Sequence, residues 1–195
     1  MVAVLLMAIG TVFVFSAGAN ISQEFNLERF YDYPGLRQIL FFPLACLIMY
    51  AVSRCDYRRL SLANGWWRNP TSYLLVLSIV LLAIVLSQRF YPALPGLVPK
   101  INQHYRWLRI PAGPIAVSFQ PSELAKWAVI FFLAAVCDKL GDDVRLYWRR
   151  FVPICSVVGL VVGLVIVEDF GTAAFIALLA FLMLITAGVK WWHVL

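Results

Sequence analysis

Six apolar stretches recur along the 195-residue chain, at about 2–20, 37–53, 71–88, 122–137, 152–167 and 172–189, and no other feature narrows the fold as far. A helix needs about 17–25 apolar residues to cross a bilayer. Backbone polar groups in lipid must be satisfied internally, which leaves helices or closed barrels, and these runs lack the two-residue alternation of barrel strands. The expected fold class is therefore all-α: a polytopic transmembrane helix bundle of about six spans, forming one domain over residues 1–195. The fourth and fifth runs are short, so their ends extend into flanking polar residues. Composition agrees, with 63% hydrophobic and 13% charged residues, where a soluble domain carries about 25% charged. The mean hydropathy is +0.84.

The first run is too long for the apolar core of a cleavable signal peptide and lacks a basic region before it. Ser16-Ala17-Gly18-Ala19 does resemble a cleavage site, but the segment reads as a retained first span. Basic residues set the orientation. Arg54, Arg58, Arg59, Arg68, Lys139, Arg145, Arg149, Arg150 and Lys190 fall on one side, against Arg29, Arg37, Arg89, Lys100, Arg106 and Arg109 on the other. The positive-inside rule then places the N-terminus in the cytoplasm. The net charge of +6 is thus largely topogenic, and its spread over both faces excludes a nucleic-acid role. Cys46, Cys55, Cys137 and Cys155 show no paired spacing and read as small hydrophobes. His104 and His193 lie far apart, so no metal cluster is expected.

Chemistry concentrates at two points. Phe119-Gln120-Pro121-Ser122-Glu123-Leu124-Ala125-Lys126 opens the fourth span. Pro121 suits a first helical turn, where its missing N–H costs nothing, and Glu123 is favoured there by the helix dipole. Lys126 opposes that dipole and sits about 7–8 Å deeper than Pro121, at about 1.5 Å per residue. Ionisable residues inside a membrane are costly and mark functional sites. Gln120, Glu123, Lys126 and Trp127 share one helical face, which is expected to point into a polar cleft; the bland alternative is snorkelling with a structural ion pair. Ser122 and Lys126 at i and i+4 raise a serine–lysine hydrolase, but no oxyanion hole accompanies them.

The second point is Glu168-Asp169-Phe170-Gly171-Thr172, squeezed between spans five and six. Asp169 either simply caps the sixth helix, with Gly171 easing the turn, or the two adjacent acids, Glu168 and Asp169, form a cation or headgroup contact near Lys126 and Arg106. Between the two points, residues 89–121 carry four basic and no acidic residues. Aromatics (Tyr91, Tyr105, Trp107, Phe119) are interleaved with Pro92, Pro95, Pro99, Pro111 and Pro114 and with Gly96 and Gly113. This composition reads as an ordered re-entrant or surface loop. It is either an interfacial aromatic belt or a cationic patch in which Arg106 and Arg109 grip a diphosphate.

These strings resemble the SEDS family of FtsW, RodA and SpoVE-like proteins. The resemblance rests on Arg106-Trp107-Leu108, on Gln120-Pro121-Ser122-Glu123-Leu124-Ala125-Lys126, and on Asp169-Phe170-Gly171-Thr172-Ala173, which is similar to the family's Pro-Asp-Leu/Phe-Gly-Thr-Ala turn. Gly10 to Ser16 and Ala187-Gly188-Val189-Lys190-Trp191-Trp192 are also similar. What the resemblance implies is a multi-pass protein of the bacterial inner membrane, with about ten helices in all. It implies a peptidoglycan glycosyltransferase that polymerises lipid II at the outer face and releases undecaprenyl diphosphate, in cell division or cell-shape maintenance.

By the same resemblance, Arg106, Gln120, Ser122, Glu123 and Lys126 line the substrate cleft. Arg109, Asp169, Gly171 and Thr172 support it. A divalent cation (Mg or Mn) is implied as cofactor. Lipid II, undecaprenyl-linked glycan, membrane lipids and a class B penicillin-binding protein are implied as partners. Two departures stand out. Glu168 occupies a position where the family usually has proline. The chain also corresponds to the N-terminal portion of the family fold, without the outer loop bearing the expected catalytic aspartate. No catalytic residue is therefore assigned, and the chain by itself is expected to be inactive. A lipid II flippase and a non-catalytic scaffold for a divisome or elongasome partner remain the alternatives.

Overall fold

A computed structural model describes residues 2–18, 34–60, 65, 69–91, 96–101, 103–112, 115–141 and 151–189. Arg29, Arg68, Arg145, Arg149, Arg150, Lys190, Trp191, Trp192 and His193, singled out in the sequence, lie outside the described residues. Six α-helices are present: α1 (Val2–Gly18), α2 (Pro34–Ser53), α3 (Pro70–Phe90), α4 (Pro121–Leu140), α5 (Val152–Ile166) and α6 (Phe170–Thr186). The fold is nearly all-α, as expected. One short antiparallel hairpin departs from this, formed by β1 (Leu108–Ala112) and β2 (Ile115–Phe119), with Leu108 opposite Phe119 and Ile110 opposite Val117. By length and composition α3 alone qualifies outright as a membrane span among the described residues; α1, α5, α6 and most of α2 are shorter apolar helices.

The chain packs as two units, Met1–Asp56 and Tyr57–Leu195. In the first, α1 packs on α2. Gly35 allows the approach: a Cβ there would fall 2.8 Å from the Phe15 ring and 3.0 Å from the Phe15 Cα. Pro43 lies inside α2.

In the second unit α4 is central, packing against α3 and α6. Its buried stripe steps through Ser122, Ala125, Val129 and Phe132, a spacing of three to four residues that keeps one face inward. Ala125 and Ala128 are completely buried, and their small side chains let neighbouring backbones come close, as packing without a hydrophobic driving force requires. Val161 of α5 and Ile176 of α6 complete the core. Helix starts are chemically specified. Asn69 Oδ1 accepts from Thr71 N at 2.8 Å and caps α3, with Pro70 in the first turn.

A smaller cluster of Val85, Val98 and Leu108 holds the chain between α3 and α4 against the end of α3. Arg109 N donates to Leu97 O at 2.7 Å. The expected loop at 89–121 is therefore partly a hairpin: Ile110, Ile115 and Val117 are β-favouring residue types, and two strands satisfy each other's backbone groups.

Candidate functional site

The hairpin, the start of α4, the end of α3 and the α5–α6 turn meet at one end of the second unit. Between them lies a narrow recess of about 20 Å³, lined by Leu82, Tyr105, Arg106, Ser122, Glu168 and Asp169 among others. That volume suits a single water and is too small for a sugar.

Asp169 holds two positions together. Its Oδ1 accepts from Thr172 N at 3.0 Å, capping α6, and its Oδ2 lies 3.4 Å from Arg106 Nη1. Burial works to raise its pKa, but the Thr172 N–H and hydroxyl, the Arg106 charge and the Gly171 N–H together outweigh it and hold the carboxyl below its usual value. Both readings of Asp169, cap and charge partner, therefore describe one residue. Arg106 Nε is buried without a hydrogen-bond partner.

The predicted cleft residues separate into two groups. Ser122 is buried at the recess, with Arg106 and Asp169. Glu123 and Lys126 do not line it. They pair with each other, Nζ to Oε2 at 2.9 Å, and Nζ stands 5.6 Å over the Phe175 ring of α6. Trp127 is exposed and stacks on Phe131. The α4 stripe of small residues starting at Ser122 takes the buried position, and the charged face turns aside with Glu123 half exposed. Gln120 is the extended residue preceding α4 and makes no side-chain cap. Arg109 is exposed on β1. Gly171 lies in the first turn of α6, where a Cβ would meet Asp169 Oδ1 at an ordinary 3.6 Å, so the turn does not require glycine.

Sequence reasoning singled out Glu168 as one of two adjacent acids but did not find its partners. It is buried at 7% exposure, and its carboxylate gathers three donors: Arg89 Nη1 at 3.1 Å, His104 Nδ1 at 3.2 Å and Tyr105 N at 3.0 Å. The acid in place of proline and its pairing with Asp169 in a short turn were its signals. Its partners lie 63 to 79 residues away, beyond any local pattern.

A divalent cation finds no ligand set here. Among the described residues no three His, Cys, Asp or Glu side chains converge, and Glu123, Asp169 and Glu168 each already face a basic group. The described residues do not fit the ion, and no step is derived through one.

A family model for cell cycle proteins of the FtsW/RodA/SpoVE type matches residues 1–195. Among curated proteins, the chain is 31% identical over 190 residues to the "Probable peptidoglycan glycosyltransferase FtsW" of Trichlorobacter lovleyi, covering 96% of this chain and 44% of that protein. It is 29% identical to the protein of the same name from Geobacter metallireducens, covering 97% and 46%. The chain spans less than half the length of these relatives. Among solved structures, the rod shape determining protein RodA of Thermus thermophilus, crystallised as a point mutant, superposes with a TM-score of 0.61 at 24% identity, over 98% of this chain and 54% of that one. A chain from a structure described as a peptidoglycan synthase complex coordinating polymerization and crosslinking gives a TM-score of 0.63 at 24% identity, over 97% and 48%. At that identity the likeness establishes the fold.

Proposed function

Because the chain belongs to the FtsW/RodA/SpoVE family of cell cycle proteins, we propose that it forms part of a peptidoglycan glycosyltransferase of the bacterial inner membrane. Its substrate is lipid II, and its reaction lengthens a glycan chain and releases undecaprenyl diphosphate. On this reading the six helices are membrane spans with the N-terminus in the cytoplasm, and the recess opens toward the outer face. The apolar side chains exposed along them, such as Val76 and Leu77 on α3 and Leu178 and Leu182 on α6, suit contact with lipid or with a partner's helices. A class B penicillin-binding protein is the partner this reading names.

The observation that carries the proposal is Arg106, held by Asp169 while its Nε has no partner. In glycan transfer an acceptor hydroxyl attacks the anomeric carbon of a lipid-linked sugar, and the bond from that carbon to the diphosphate oxygen breaks. Negative charge then gathers on the departing diphosphate. A partly exposed guanidinium held in place by Asp169 can stabilise that charge. Arg109, exposed on β1, and Lys126, over Phe175, extend the positive field. Ser122 and Gln120 shape the wall at the mouth of α4. The base that accepts the hydroxyl proton is assigned to none of the described residues.

The test is the full-length product of its gene, purified from membranes and incubated with labelled lipid II. Polymer is the expected product, and its absence overturns the proposal. Movement of labelled lipid II across proteoliposomes without chain growth assigns transport instead.

A further inference from the structure

We infer that Glu168 is a positioning residue, which clamps the segment His104-Tyr105-Arg106 onto the α5–α6 turn and thereby aims the Arg106 guanidinium at the recess. Two consecutive carboxylates hold three consecutive residues. Glu168 Oε2 takes the Tyr105 backbone N–H at 3.0 Å and His104 Nδ1 at 3.2 Å, and Asp169 Oδ2 faces Arg106 at 3.4 Å. Because a carboxylate only accepts, the His104 nitrogen facing it is the protonated one.

The other oxygen of Glu168 is tied to α3 through Arg89, at 3.1 Å. One buried side chain thus joins the end of α3, the segment leading into the hairpin and the turn before α6. A backbone amide bonded to a charged acceptor fixes main chain, whereas the Arg106–Asp169 pair fixes only side chains, and both of its ends are partly exposed. The main-chain bond at Tyr105 therefore decides where Arg106 can reach. His104 itself stands across a tight turn from Ile101, with reciprocal backbone bonds of 3.0 Å and Gln103 at φ 69°.

The role of Arg106 as diphosphate contact rests on the proposed function; the clamp itself does not, and the experiment separates them. The first arm is hydrogen exchange of the purified protein. Glu168→Ala should speed exchange over residues 104–109 by about 10–100-fold, the loss of a charged hydrogen bond, and leave peptides of α6 and of α4 beyond its first turn at wild-type rates. Glu168→Gln keeps an acceptor for Tyr105 N–H and should retain protection. Unchanged exchange in Glu168→Ala, or acceleration throughout the protein, overturns the clamp.

The second arm measures binding of geranyl diphosphate. Glu168→Ala should weaken it about tenfold, a coupling of the size that shared networks carry, and should add nothing in an Arg106→Ala background. Multiplicative losses in the double variant overturn action through Arg106. Failure of the wild type to bind refutes the diphosphate reading, while the exchange arm still decides the clamp.

Discussion

Replacing Asp169 separates its two tasks. Asp169→Ala removes the cap on α6, seen as Oδ1 accepting from Thr172 N at 3.0 Å, and lost caps cost about 1 kcal/mol. It also removes a negative charge at the helix N-terminus, worth about 0.3–1 kcal/mol, and the Arg106 pairing at 3.4 Å, which as a partly exposed pair contributes less than about 1 kcal/mol. The expected total is about 2 kcal/mol, or about 4–8 °C in Tm for a chain of this size. Asparagine caps nearly as well as aspartate, so Asp169→Asn should lose only the charge-dependent part, about 1 kcal/mol.

Melting followed by circular dichroism in detergent, at neutral and acid pH, measures both. The carboxyl titrates below its ordinary value of 3.8 in the folded protein. Its contribution is therefore complete above that value and is lost as pH falls through the lower folded pKa, so the wild type should converge on Asp169→Asn in acid. Equal destabilisation by Asn and Ala at neutral pH would refute the capping argument. A gap between wild type and Asp169→Asn that persists undiminished in acid would refute the charge argument.

Lys126→Ala and Glu123→Ala should each abolish complementation of a strain lacking the protein while membrane abundance on immunoblots stays at wild type; parallel loss of abundance would mark the pair as merely structural. Leu133→Ala should cost about 2–5 kcal/mol in the same melting assay, because Leu133 is completely buried in the core of the second unit and its removal leaves a cavity. Gly35→Ala should cost about 1–3 kcal/mol by overpacking, since the added methyl would press on the Phe15 ring and backbone. Trimming the ring with Phe15→Ala should restore little, because the backbone of residue 15 still obstructs the methyl.

The six helices were legible in the sequence because hydropathy and length speak locally; each observed helix overlies an apolar run. The hairpin was not. Pro111, Gly113 and Pro114 break the alternation that marks a strand, and only pairing with the opposite strand gives Leu108–Ala112 its form. The site was read in part. Arg106 and Asp169, singled out by charge in an apolar context, do meet. Helical periodicity grouped Glu123, Lys126 and Trp127 correctly but does not say which face turns inward. That choice fell to the small residues Ala125 and Ala128, whose packing needs a neighbour no local window contains. The partners of Glu168 escaped for the same reason, since a buried carboxylate declares its purpose only through distant contacts.

One residue separates β2 from α4. The strand ends at Phe119, the helix begins at Pro121, and Pro121 is itself buried. A joint of that length, with the proline ring fixing φ, has almost no slack. Displacement of the hairpin must therefore turn the first coil of α4 with it. The recess at Arg106 and the ion pair at Lys126, one turned inward and the other aside, are on this account two ends of one stiff lever, and a load applied at either is felt at the other.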